Sequence, residues 1–422
     1  MNKVPRMHKK GPVRDHDRSR ASPTIAVEPA FVLLFSVQMK GAFKGFGTSY
    51  PGLAPLPADE ARAYTSGLSE FESRLLGKMF HEARRITRWP LGRIALGGWR
   101  DGWAPDHADV YLLSHTSGVA LWEVWIPATA QPFDASRWID WLDDGTEDGL
   151  LSRLWRILGD LNSAITGGST GWGFYLPLTL LRHPEQPLAP LVKRYGSEIV
   201  RLLFLDRSRR TLKSEVVAEE LARDYCARQG GMTLLGRRSG FDLRDDEEDD
   251  AEVSSPLTVP PRSALPFLIT IEILLLEREV LQHLYERLSR HMPRSVDELL
   301  SLKQNVLDAL EEYYGAITTA TRFSDAVTTD GERLLGLNDL YEAVIDRLDA
   351  VSFAITTRYQ KHMTLLQFWL AIVFGATEIG FIASGIATWH YRAELGAVIA
   401  WTVGVSAVSA LILWVLLRGK VE

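Results

Sequence analysis

One carboxylate in this sequence stands where a charge is expensive. Glu378 lies near the middle of an apolar run from about Thr364 to Thr388. A charged side chain at the centre of a bilayer costs about 2.5–3.5 kcal/mol on insertion scales, and more on an isolated helix. Such a group faces protein or water, or takes up a proton. Gln367, Ala371, Gly375, Glu378, Ile382 and Gly385 fall on one face of a helix. That face combines small and polar side chains, which suits the wall of a narrow pore when several copies assemble. Glu378 is then the candidate metal ligand, because hard cations prefer carboxylate oxygen. A divalent cation is the corresponding candidate cofactor. The competing role is structural, a protonated Glu378 hydrogen-bonded across helices.

The element that positions these residues is a helical hairpin over 364–417. The second apolar run extends from about Leu395 to Leu417, and both runs exceed the roughly 20 residues that span a bilayer. Only Trp389-His-Tyr-Arg-Ala-Glu394 connects them, so both outer ends lie on one side. Arg358, Lys361 and His362 precede the first run, and Arg418 and Lys420 in the basic tail at 418–422 follow the second. The positive-inside rule places both termini in the cytoplasm and the short loop outside. Gly396, Ala400 and Gly404 recur every fourth residue, as do Ala371 and Gly375. Small residues at this spacing let helices approach closely, within the hairpin or between copies.

Upstream, Leu337, Tyr341, Val344, Leu348, Val351 and Ile355 make a heptad seam, which packs in a coiled coil or in an intrachain bundle. No Pro or Gly occurs between Gly336 and Gly375. The spacing predicts one helix from this stalk into the first span, roughly 50 residues and about 75 Å long. The stalk region, 264–363, opens with an apolar segment, Leu265 to Leu276, that is too short to span and contains Glu272. A second stalk helix follows the capping signature Ser295-Val-Asp-Glu298 and carries Leu299 to Ile317; Thr328-Thr-Asp330 reads as a turn.

Residues 27–240 read as an α/β domain. Strands are expected at Ala26–Gln38, at Val110–Leu113 and Val119–Ile126 around a turn at Gly118, and at Ile199–Leu205. Helices are expected at Asp59–Arg85, Asp148–Leu161 and Ser214–Gln229. Before this domain, 1–26 is a basic tail, expected to be disordered or to meet anionic headgroups. After it, 241–263 holds the acidic run Asp245–Asp250 and Pro256, Pro260 and Pro261, the composition of a linker. The fold class is therefore α+β, with a cytoplasmic α/β domain, a helical stalk and a two-helix hairpin.

Chemistry elsewhere is sparse. Asp101, Asp106, His107, Asp109 and His115 gather in a short stretch, but their spacing matches no catalytic constellation. Thr166-Gly-Gly-Ser-Thr-Gly-Trp-Gly173 lacks the Gly-Lys-Ser/Thr of a phosphate loop and reads as a turn. Trp89, Trp99, Trp103, Trp122, Trp125, Trp138, Trp141 and Trp155 suit core packing better than a ligand cage. Cys226 is the single cysteine, so no internal disulfide forms. A net charge of −6 argues against nucleic acid as a partner. No enzymatic activity is expected.

The order of these parts resembles the CorA family of magnesium channels: an α/β domain, long helices, a stalk continuous with the first span, a short external loop and a second span with a basic end. The resemblance covers nearly the whole chain in architecture. It implies an ion channel or transporter with a large cytoplasmic regulatory domain, a pentamer among homo-oligomers, and a multi-pass place in the inner (plasma) membrane, with lipid as a partner. That family carries Gly-Met-Asn at the external end of the first span. Here the region reads Gly385-Ile-Ala-Thr-Trp389-His390. The selectivity residues of the family thus have no counterpart in this chain. The alternative is a membrane-anchored sensor, scaffold or effector, whose hairpin only anchors and oligomerises.

Overall fold

In the computed structural model the described residues are 28–39, 53–58, 61, 86–96, 106–115, 118–127, 134–142, 150–166, 173–183, 188–208, 210–226, 230–245, 264–290, 298, 300, 301, 304, 322–390 and 394–418. They fall into two compact units, one within Met1–Glu286 and Val306–Glu342, the other within Arg287–Asn305 and Ala343–Glu422. All but Ala61 of the expected helix at Asp59–Arg85, most of the helix after Ser295, the basic tail, Asp101, Trp99, Trp103, 167–172 of the glycine-rich stretch and Asp246–Asp250 lie outside the described residues.

The first unit is built on one seven-stranded sheet. Its strands are β1 (Glu28–Gln38), β2 (Ile86–Ala95), β3 (His107–His115), β4 (Val119–Ile126), β5 (Tyr175–His183), β6 (Met232–Leu235) and β7 (Gly240–Asp245). Their order across the sheet is β2-β3-β4-β1-β5-β7-β6, and only β5 and β7 run parallel. The β3–β4 hairpin turns at Gly118, whose φ of 88° is costly for residues with a Cβ. β7 reaches Asp245, the first residue of the acidic run.

Alternation along β1 sends Phe31, Leu33, Phe35 and Val37 to one face, where they join Val110, Leu112, Trp122 and Val124. Three helices cover this face: α1 (Ala135–Leu142), α2 (Leu150–Thr166) and α3 (Leu188–Phe204). Asp134 starts α1 by accepting the Ser136 and Arg137 amides at 3.0 and 3.3 Å. Phe31, Trp138 and Trp141 pack there in tilted and edge-on contacts, with ring centroids 4.0 and 5.0 Å apart along the series. Buried Trp122 donates its indole N–H to Asn162 Oδ1 at 3.1 Å. The tryptophans expected in the core are largely found there.

The segment Ile199–Leu205, expected as a strand, is instead the C-terminal end of α3 through Phe204, with Leu205 in the turn after it. Its apolar run looks β-like in isolation. Over the longer window Leu191, Tyr195, Ile199, Leu202 and Leu203 repeat at helical spacing and are all buried, and Pro190 fits a first helical turn. The helix expected at Ser214–Gln229 is shorter, α4 (Ser214–Leu221), because Asp224 leaves the helix to accept the amides of Cys226 and Thr233 at 2.9 and 2.8 Å.

The other face of the sheet carries α5 (Leu265–Arg290). A Cβ at Gly240 would lie 2.9 Å from the Phe267 ring. α6 (Arg322–Leu335) packs Gly331 against Leu274 of α5, with Leu235 of β6 close by. The turn expected at Thr328-Thr-Asp330 is helical: Thr329 turns its hydroxyl back to Asp325 O at 2.9 Å within α6. The chain turns instead at Gly336, φ 70°.

In the second unit, α7 (Leu337–His390), whose first residues belong to the sheet unit, runs unbroken for 54 residues, as the absence of Pro and Gly between Gly336 and Gly375 predicts. Val344, Leu348, Val351 and Ile355 of the expected seam are buried. α8 (Leu395–Arg418) follows after a short connection.

Candidate functional site

Both α7 and α8 are long and apolar enough to cross a membrane. Several threonine hydroxyls of the two helices bond back into their own backbone. Thr364, Thr377, Thr388 and Thr402 each donate to the carbonyl four residues back, at 2.9, 2.5, 2.7 and 2.7 Å.

The seam between α7 and α8 is built from small residues. Ile372, Ala376, Ala383 and Ala387 are buried, with Gly380 on the same stripe. A Cβ at Gly380 would run into Ser406 Oγ, with Thr402 Cγ2 at 3.8 Å; one at Gly375 would lie 3.0 Å from Leu413 Cδ1. Close approach of the two backbones therefore depends on Gly380, which the four-residue pattern from Ala371 to Gly375 does not mark.

The face marked in the sequence lies elsewhere on α7. Gln367, Ala371, Glu378, Ile382 and Gly385 are exposed, and Gly375 is half-buried at the margin of the seam. At 3.6 residues per turn the centre of this face stands roughly 140° around the helix from the seam. Among the described residues Glu378 has no hydrogen-bond or ion-pair partner within the chain. Gly396, Ala400 and Gly404 of α8 are exposed as well, and a Cβ at Gly396 or Gly404 would meet nothing within 4 Å. The seam leaves both marked faces uncovered, on roughly opposite sides from the helix–helix contact.

A second cluster of charge lies under α5 and was not marked as a site in the sequence. Arg88 of β2 donates to Glu272 through Nη1, at 2.9 Å to Oε1, and through Nη2 to Oε2; the same Nη1 reaches Glu123 Oε2 at 3.2 Å. Glu123 also accepts the Trp125 indole N–H at 2.5 Å. These three charged side chains are 5% exposed or less. Glu279 accepts the Ser36 hydroxyl at 2.6 Å and the Gln38 amide at 3.2 Å. Glu277 is also buried, and burial followed by the negative charge of Glu332 pushes its carboxyl up to about 8. Burial raises Glu332 too. The sequence shows these acids in an apolar helix but not their partners, which come from strands and a helix far along the chain.

The other candidates separate. His107, Asp109 and His115 lie on β3, and Asp106 just before it. Asp109 is taken up by Arg93, at 2.6 and 3.0 Å. No group of three or more metal-binding side chains forms among the described residues. Cys226 accepts a hydrogen bond from Arg244 Nη1 at 3.4 Å, beside the Arg244–Asp242 pair. Comparison of the chain with protein-family models, with curated proteins and with solved structures finds no match.

Proposed function

We propose that this chain is an integral membrane protein of CorA-like plan, assembled as a homo-oligomer and conducting or transporting cations, with the sheet unit as its cytoplasmic regulatory domain. One observation carries the reading. The α7–α8 seam uses the Ile372–Ala387 stripe and leaves Glu378 exposed on nearly the opposite face, midway along an apolar helix. Left against lipid, that carboxylate costs about 2.5–3.5 kcal/mol per chain. Neighbouring copies around a watered axis remove this cost and place Gln367, Ala371, Gly375, Glu378, Ile382 and Gly385 along the axis. The exposed Gly396, Ala400 and Gly404 stripe offers a close-approach surface for the same assembly. Both termini then lie in the cytoplasm. A pentamer is the assembly that the family plan implies.

The test is the mass of the detergent-purified full chain by light scattering, followed by divalent-cation flux in proteoliposomes. An oligomer with flux is expected, and Glu378→Gln lowers flux at least about tenfold while the assembly persists. A monomer or dimer without flux overturns the reading. Gly385-Ile-Ala-Thr in place of Gly-Met-Asn favours the second reading, a membrane-anchored sensor, scaffold or effector. That reading predicts an oligomer without flux and unchanged behaviour on replacing Glu378.

A further inference from the structure

Two segments far apart in the sequence bring cationic side chains to one end of α3. The first follows the helix directly. α3 closes in a Schellman turn, in which the Asp206 amide donates to Arg201 O at 2.9 Å and the Leu205 amide to Leu202 O at 3.0 Å. Leu205 takes the left-handed position of that turn, φ 49°, where glycine is usual. It is the one non-glycine residue with positive φ among the described residues, and its side chain is buried. The chain beyond it carries Arg207, Arg210 and Lys213 before α4 begins. The second segment is the turn between β6 and β7. Ser239 donates its hydroxyl to Leu202 O and Leu203 O at 2.9 and 3.1 Å, and a Cβ at Gly236 would lie 3.1 Å from Leu203 O. Arg237 and Arg238 lie between these two anchors, and both are exposed.

The polar contacts within this cluster leave much of its charge unspent. Asp206 accepts the Ser208 amide and hydroxyl, both at 2.8 Å. Arg201 donates to Ser136 Oγ and Asp206 O, both at 3.4 Å, and Arg207 meets exposed Asp140 at 3.8 Å. Among the described residues Arg210, Lys213 and Arg237 have no hydrogen-bond or ion-pair partner. The helix dipole accounts for a cation in the last turn of α3, where Arg201 lies, but its pull fades within that turn. The other cations therefore form an uncompensated basic surface in a chain whose net charge is −6.

Guanidinium and ammonium groups standing exposed on two turns fit an extended anionic surface, whereas small anions are held in concave sites. The chain itself brings such a surface near. α7 starts in the sheet unit and reaches its apolar stretch about 40 Å of helix later, so a bilayer that takes up α7 is tethered to this unit. We propose that the end of α3 and the β6–β7 turn form a docking surface for the anionic headgroups of the bilayer that holds α7 and α8. The proposal rests on the membrane reading given above. Arg210, Lys213, Arg237 and Arg238 supply the attraction, which acts only within a Debye length of the headgroups and weakens with salt. Arg201, Leu205 and Ser239 hold the two turns in place behind them.

The test is hydrogen exchange of the full-length protein in nanodiscs of neutral phosphatidylcholine and in nanodiscs with about 30% phosphatidylglycerol. Amides of 206–213 and 235–239 are expected to exchange at least about threefold more slowly in the anionic discs, and about 0.5 M salt removes the difference. Arg237→Gln combined with Arg238→Gln abolishes the slowing and keeps wild-type exchange in neutral discs. Should that variant exchange faster in neutral discs, Arg210→Gln combined with Lys213→Gln decides in its place. Lys193→Gln combined with Arg194→Gln, in the first half of α3, leaves the slowing intact. Equal exchange in both discs overturns the proposal, as does slowing that survives loss of the patch cations. Slowing by millimolar inorganic phosphate in neutral discs, with none from anionic lipid, assigns the surface to a free anion and overturns it too. A chain that does not enter neutral discs overturns the membrane reading and the proposal with it, whereas entry with exchange independent of lipid charge overturns the proposal alone.

Discussion

Arg88 shows how much of this protein rests on single side chains that the sequence does not advertise. It holds Glu123 and Glu272, 35 and 184 residues away along the chain, inside a nearly dry layer. Removing one partner from a buried ion pair costs about 3–5 kcal/mol, because the other charge stays buried alone. Arg88→Ala is expected to lower the stability of the sheet unit by that amount, read as an earlier denaturant midpoint in tryptophan emission; Trp125, bonded to Glu123, is a local reporter. A shift under 1 kcal/mol would show that water reaches the pair. Glu272 was legible as a charge inside an apolar run. Arg88 was not, because Pro90 and Gly92 interrupt the alternation of β2, and register shifts between them. Glu378 was legible for the opposite reason, since its cost follows from local composition alone.

At the scale of elements, long periodic segments were readable and short ones were not. The α7 helix, the start of α5, the β3–β4 hairpin and β1 follow from spacing that local context does not contradict. Ile199–Leu205 was misread because seven apolar-rich residues fit a strand as well as a helix, and only the turns before it decide. Thr328-Thr-Asp330 was misread because threonine hydroxyls bonded back into α6 satisfy the helix that their propensity opposes. The two small-residue stripes of the hairpin make separable predictions. Gly380→Val puts a side chain into Ser406 and is expected to cost the hairpin about 1–3 kcal/mol by overpacking. A Cβ at Gly404 meets nothing within 4 Å among the described residues, so Gly404→Val is expected to leave the single-chain fold intact while weakening the proposed assembly. Thermal unfolding beside light-scattering mass distinguishes them; loss of assembly in neither variant would place the oligomer contacts elsewhere.

At the scale of the molecule, the two units divide the work. The sheet unit buries the Arg88 pairs with Glu123 and Glu272, while the second unit exposes apolar side chains such as Phe374, Phe381 and Leu411 along α7 and α8. The orientation expected from the basic flanks is checked by labelling. In a Cys226→Ser background, which removes the single native cysteine, Glu394→Cys is expected to react with an impermeant maleimide in intact cells and Arg358→Cys to react only after lysis. The reverse pattern would invert the topology. The position of β1 also orders events in time. It is the first strand of the sheet but lies at its centre, between β4 and β5. One edge is paired once β4 has been made, but the other stays open until residues 175–183 have been made, on the order of ten seconds of synthesis after β1. That edge thus waits as an open template during the interval, a stage at which nascent chains pair wrongly. Every strand, and the helix that covers the second face, leaves the ribosome before the apolar part of α7. Translation therefore completes the sheet before the apolar stretches of α7 and α8 emerge.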